Sequence, residues 1–126
     1  MSGYLFNMAT IFEDFVTVAL SEALKPHGGR SRLQYPTHLD DAETVPIRPD
    51  FVWFDGGAPR LVVDAKYKAE RPSGFPQADL YQLLAYCTVL GLPDGHLVYA
   101  MGNENAREHV VRNSGVRIVA HTLDLE

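Results

Sequence analysis

Two aspartates and a lysine interrupt otherwise apolar runs of this chain. Asp50 lies in Ile47-Arg48-Pro49-Asp50-Phe51-Val52-Trp53-Phe54, and Asp64 and Lys66 lie in Arg60-Leu61-Val62-Val63-Asp64-Ala65-Lys66-Tyr67-Lys68. A buried carboxylate without a partner is costly, so acids in such runs need a reason. Two of them beside a lysine suit a divalent metal and a water to be activated. Mg²⁺ keeps several waters and binds through one or two carboxylates plus substrate phosphate. It polarises the phosphate and lowers the pKa of a bound water. Asp50 and Asp64 would supply the carboxylates and the backbone carbonyl of Ala65 a further ligand. Lys66 would orient the water or offset charge in the transition state. The chemistry is phosphodiester cleavage.

The elements that must position these groups read as the two arms of a β-hairpin, reversed at Asp55-Gly56-Gly57-Ala58-Pro59. Side chains alternate faces along a strand, so Asp50 and Asp64 share a face only if the loop holds an odd number of residues. A loop centred on Gly57 pairs the two aspartates on the face that also carries Lys66. Ile47, Phe51, Trp53, Leu61, Val63 and Ala65 then form the opposite, core-facing side. The competing reading makes Pro49-Asp50 a strand-edge feature and Asp64 and Lys66 a surface pair. Spacing alone leaves both open.

Further along, Gln82 and Tyr86 stand four residues apart in a helical pattern and share a face. Asp79 as N-cap with Gln82 three residues on also resembles a capping pair, and Glu13 has a like explanation as capping-box partner of Thr10. Each residue alone is weak; the combination carries the signal.

The remaining organisation is short. Met8 to Leu24 reads as an amphipathic helix with Met8, Ile11, Phe12, Phe15, Ala19, Leu20 and Ala23 on its apolar stripe. Lys25-Pro26-His27-Gly28-Gly29 stops it. Ser31 to Leu39 reads as a short strand and Asp40 to Thr44 as an acidic loop. Glu70 to Pro76 is a loop, Ala78 to Leu90 a second helix, and His96 to Met101 a strand. Gly102 to Ser114 reads as a polar connection and Val116 to Leu123 as the last strand. The order is α-β-β-β-α-β-β, an α/β fold with a central mixed sheet flanked by helices. Its 126 residues fit one domain.

The formal net charge of −5 argues against a stand-alone, non-specific nucleic-acid binder. Eight of the eleven Lys and Arg residues nonetheless fall between Lys25 and Arg71, around the proposed site. The lone Cys87 offers neither disulfide nor zinc cluster and fits a reduced cytoplasmic protein. No apolar run approaches the ~20 residues of a membrane span, and no signal-peptide pattern opens the chain.

Taken in order, Glu13 in the first helix, Pro49-Asp50, Asp64-Ala65-Lys66 and Gln82-Leu83-Leu84-Ala85-Tyr86 resemble the PD-(D/E)xK nucleases, in the branch with a RecB-like Q-x-x-x-Y element. Ile11-Phe12-Glu13-Asp14-Phe15-Val16, Val63-Asp64-Ala65-Lys66-Tyr67-Lys68 and Asp79-Leu80-Tyr81-Gln82-Leu83-Leu84-Ala85-Tyr86 are similar, more narrowly, to the McrC subunits of McrBC modified-cytosine restriction systems. The resemblance runs from Phe12 to about Tyr99. It implies an αβββαβ restriction-endonuclease-like core and Mg²⁺-dependent DNA cleavage, with Mn²⁺ able to substitute. Asp50, Asp64 and Lys66 would stand at its centre, Glu13 would touch a metal or its water, and Gln82 and Tyr86 would support the site or the DNA. It also implies recruitment to a GTP-driven, McrB-like AAA+ ring.

McrC proteins generally carry an additional N-terminal region that docks on the ring, whereas these motifs begin almost at Met1. No G-x-x-x-x-G-K-[ST] loop is present, so nucleotide hydrolysis falls to another protein. Lys68 and Arg71, just past the triplet, are the expected DNA-backbone contacts. Gly28-Gly29-Arg30-Ser31-Arg32 could contact phosphate but reads rather as a solvated loop, and His27, His38, His96, His109 and His121 show no metal-ligand spacing. Two other functions fit the same residues: a non-catalytic DNA- or protein-binding module, and a RecB-like exonuclease or junction resolvase.

Overall fold

The computed structural model describes residues 2–69, 77–101 and 107–123, and the side chains of these except residues 2–6, 68, 69 and 101. Helix α1 (Ser2–Leu24) leads through a 3₁₀ turn at Lys25–His27 into strand β1 (Arg30–Leu33). Two-residue strands β2 (Thr37–His38) and β3 (Pro46–Ile47) pair with each other, then β4 (Phe51–Asp55) and β5 (Ala58–Ala69) form a hairpin. Helix α2 (Gln77–Leu90) crosses to β6 (Asp94–Met101), followed by β7 (Arg107–Val110) and β8 (Arg117–Thr122). The main sheet has six strands in the order β1-β4-β5-β6-β8-β7. The pairs β5–β6 and β6–β8 are parallel and the others antiparallel. The mixed α/β sheet flanked by helices is therefore present.

The hairpin reaches its register by an unexpected route. Gly56 (φ +63°) and Gly57 (φ +79°) form a two-residue turn between Asp55 and Ala58. Tight hairpins favour turns with both central residues at positive φ, because their twist matches the strands. Such a turn alone would set the aspartates on opposite faces. The ladder instead shifts between Trp53, opposite Leu61, and Phe54, opposite Pro59, so Arg60 is an extra, bulged residue. The bulge restores the pairing in which Phe51 faces Val63 and Asp50 comes opposite Asp64. An even turn plus one bulged residue replaces the expected odd loop.

Both faces of the hairpin are covered, not one. Val52, Val62, Leu97, Tyr99, Ile118 and Ala120 pack with Leu83, Tyr86 and Cys87 of α2, and Ile47 joins this cluster instead of the opposite side. Ala65, Tyr67, Val98 and Ala100 pack under Phe12, Val16 and Leu20 of α1. A strand at the middle of a partly parallel sheet is expected to be apolar on both sides.

Other boundaries moved for identifiable reasons. The single strand expected over Ser31 to Leu39 is broken at Gln34, whose φ of +53° ends β1. Within the expected polar connection, Arg107–Val110 forms an edge strand; its charged, mostly exposed side chains hide the strand pattern while protecting the edge. Helix α1 already includes Thr10, so Thr10 and Glu13 form no N-terminal capping box. Its inward arc carries Phe12, Val16, Thr17 and Leu20, leaving Ile11 and Phe15 at 58% exposure each. Periodicity marks a helix face only broadly, and here the sheet-facing arc is turned toward Glu13.

No helix among the described residues is long and apolar enough to cross a membrane. Helix α2 meets β6 at Gly95, where a Cβ would collide with Cys87 Sγ and Leu83. Gly95→Ala is therefore expected to lower stability by about 1–3 kcal/mol through overpacking, measured by urea unfolding; an unchanged midpoint would show that this helix–sheet contact is looser than described.

Candidate functional site

The end of the hairpin holds Asp50 and Asp64 together by crossed backbone bonds. The Asp50 N–H donates to Asp64 Oδ1 at 2.9 Å, and the Ala65 N–H donates to Asp50 Oδ2 at 2.9 Å. Each carboxylate thus anchors the opposite strand while keeping a second oxygen for other partners. Ala65, expected to act through its carbonyl, shows its contact here through its N–H. Lys66 follows two residues after Asp64 on the same face. Its Nζ lies 3.2 Å from Asp64 Oδ2 and donates to Gln82 Oε1 of α2 at 2.6 Å.

Glu13 reaches this group from α1 through a residue that sequence reasoning did not single out. The side-chain amide of Gln34 donates to Glu13 Oε1 and lies 3.5 Å from Asp50 Oδ1. Its placement is backbone-driven: the Gln34 N–H bonds the Asp50 carbonyl at 2.8 Å and the Tyr35 N–H that of Pro49 at 3.0 Å. A left-handed, non-glycine residue at the end of a strand is uncommon. No local pattern in the sequence marks it.

Tyr86 is buried beside the acids. Its hydroxyl is pushed above its ordinary pKa first by burial, then by the negative charges of Asp64 and Asp50. Asp79 is not an N-cap: it sits inside α2, nearly fully buried, and accepts a 2.8 Å hydrogen bond from the Tyr99 hydroxyl. Gln82, freed from capping, spans to Lys66. Glu13, Asp50, Asp64, Lys66, Gln82 and Tyr86 are thus brought to one locality by four elements. The side chain of Lys68 and all of Arg71 lie outside the described residues. The sheet also stacks His96 on His121, with ring nitrogens 3.0 Å apart, a pairing that sequence separation concealed.

Electrostatics define what the site lacks when alone. Burial, then the adjacent Asp64 carboxylate, push Asp50 up to about 8; the Ala65 N–H opposes the rise and Glu13 adds to it. Burial also raises Asp64, against the pull of Lys66 and the Asp50 N–H. Two acids held this close resist joint ionisation. A divalent cation would relieve both, and the donor set fits one: hard carboxylate oxygens from Asp50 and Asp64. Among the described residues no group of three or more His, Cys, Asp or Glu side chains could hold a metal ion by itself, so a cation here would rest on two carboxylates and complete its shell with water.

A family model described as "McrBC 5-methylcytosine restriction system component" matches residues 1–100, which include every group of this site. The chain belongs to that family. No curated protein matches it significantly. In shape this McrBC-family chain is similar to a chain in the solved half-complex from a tetradecameric assembly of Thermococcus gammatolerans McrB AAA+ hexamers with bound McrC. The identity is 20% and the TM-score 0.72, over 91% of this chain. The McrBC-family chain described here spans 28% of that chain's length. The two share a fold.

The raised Asp50 has a consequence for stability without metal. An unfolded Asp50 ionises near 3.8, whereas the folded one holds its proton to about 8. Its contribution is fully present below the unfolded value and is lost as pH rises through the folded value. The melting temperature in EDTA is therefore expected to fall by about 5 °C or more between pH 5 and pH 8.5, with Asp50→Asn flattening the decline. An equally steep profile in that variant would show that Asp50 is not the titrating group.

Proposed function

We propose that this chain is the DNA-cleaving, McrC-type component of its McrBC system: a metal-dependent endonuclease built as one domain on a PD-(D/E)xK core. The observation that carries the reading is the cross-bridged Asp50–Asp64 pair with Lys66 joined to Asp64 and to Gln82. Asp50 and Asp64 would hold Mg²⁺ or Mn²⁺, with the Ala65 carbonyl as a further oxygen donor and Glu13 touching a water of the metal. When bound, the metal polarises the phosphate and makes water a stronger nucleophile at neutral pH.

The chain's own residues do the positioning. Lys66 is held by Gln82 within hydrogen-bond range of Asp64, where its charge faces the reacting phosphate and steadies developing negative charge. Gln82 fixes the lysine's rotamer, and Tyr86, buried in the core, shields that side of the acid pair from water. Glu13 keeps Asp50 oriented through Gln34. Lys68 and Arg71 are the proposed backbone contacts beyond β5. The proposed partner is a GTP-driven AAA+ ring, in keeping with the McrB hexamers of the structurally similar complex.

Nicking of supercoiled plasmid, with and without such a ring, tests this reading. Wild type is expected to nick with Mn²⁺ or Mg²⁺, and Asp64→Ala to lose roughly 100-fold or more of the rate while remaining folded. Mn²⁺ should also raise the melting temperature of wild type but not of the variant, since a ligand of the folded state stabilises it. Equal cutting by both proteins would remove the assignment.

A further inference from the structure

The edge strand β1 carries a second set of groups on the same face as the acids. Arg30 pairs with Phe54 and Arg32 with Val52, so both arginines share the side of Val52 and Asp50. Gln34 continues that row to Asp50. With a strand rise of about 3.4 Å per residue, Arg32 stands roughly 7 Å and Arg30 roughly 14 Å along the edge from Gln34. The two guanidiniums border a cavity of about 400 Å³ floored by Tyr35 and Phe54 and walled by the Gly56-Gly57 turn. Tyr35 and Phe54 meet edge to face at 5.3 Å, and the Arg32 guanidinium lies 5.3 Å from the Tyr35 ring centre. Among the described residues, helix α2 packs mainly on β6, β5 and β8, and the Arg30 and Arg32 side chains are exposed.

This combination has a chemical meaning. Guanidinium groups bind phosphate through paired, charge-assisted hydrogen bonds. Aromatic faces take nucleobases by stacking, without regard to sequence. In a chain of net charge −5, a polyanion near two carboxylates needs local cations to hold it. Arg30 and Arg32 supply them at the right edge, and the cavity lies within the size range of small-ligand pockets.

We propose that β1 and this cavity form a strand-binding subsite for DNA, with backbone phosphates on Arg30 and Arg32 and one unstacked base against Tyr35 and Phe54. The subsite leads one strand along the sheet edge to Gln34 and the acid pair. It rests on the nuclease reading, and deepens it by naming where the substrate strand runs.

Fluorescence anisotropy with a labelled single-stranded 20-mer in EDTA tests the subsite separately from cleavage. The Arg30→Ala/Arg32→Ala double variant is expected to bind about tenfold or more weaker at 0.1 M salt, with its log K against log salt slope reduced by about 1.4. Tyr35→Leu, which keeps an apolar filler, should lose about tenfold in affinity at an unchanged slope. Arg112→Ala, at the opposite edge of the sheet, should stay within about twofold of wild type. Circular dichroism melts confirm that each variant is folded. Wild-type affinity and slope in the double variant would overturn the subsite, and if wild type still nicks plasmid the nuclease reading stands without it. A wild type that neither binds the strand nor cuts plasmid would remove both.

Discussion

The pairing of Asp50 with Asp64 through each other's strand backbone is the constraint on which the remaining site depends. A buried acid and a half-buried one this close would ordinarily repel and drift apart. Here each accepts an N–H from the neighbouring strand, so the repulsion is held within the sheet's own ladder. Burial then raises both acids, and Lys66 offsets part of the charge on Asp64. Everything else in the site attaches to this pair: Gln34 to Asp50, Lys66 to Asp64, Gln82 to Lys66.

The sheet explains why such a costly pair can persist. β5 is buried on both faces by α1 and α2, so its backbone position is fixed by packing before its polar groups are considered. Preorganised groups of this kind would not need to be rearranged at the moment of the proposed reaction. The hydroxyl of Tyr99 on the carboxylate of Asp79 adds a buried polar contact between the sheet and α2, which anchors the helix carrying Gln82 and Tyr86.

Much of this was legible in the sequence because the period-two pattern around Asp50 and Asp64 and the period-four pair Gln82 and Tyr86 are local. The α/β class and the two main helices followed from the same patterns. Gln34 was not legible, since its role comes from a left-handed backbone and from Asp50, sixteen residues away. The bulge at Arg60 was hidden for a related reason: the turn and the bulge each shift the register, and only their sum shows in the facing of the two acids. Arg30 and Arg32 read rather as a solvated loop than as a phosphate contact, because their alignment on one face depends on pairing with β4. The strand at Arg107–Val110 was concealed by its charges, which suit an exposed edge.

One property of the hairpin bears on how the site comes into being. The acids are only fourteen residues apart in the chain, so closing them together loses little chain entropy. Lys66, which moderates the charge of Asp64, lies in the same hairpin, whereas the Gln82 that clasps it comes from α2. The site therefore divides into an early half and a late half. The hairpin brings the negative charge together by short-range folding, and the clasp on Lys66 arrives only when α2 docks. A chain caught between these stages would hold the two acids with their lysine unclasped, which ties competence for the proposed chemistry to completion of the fold.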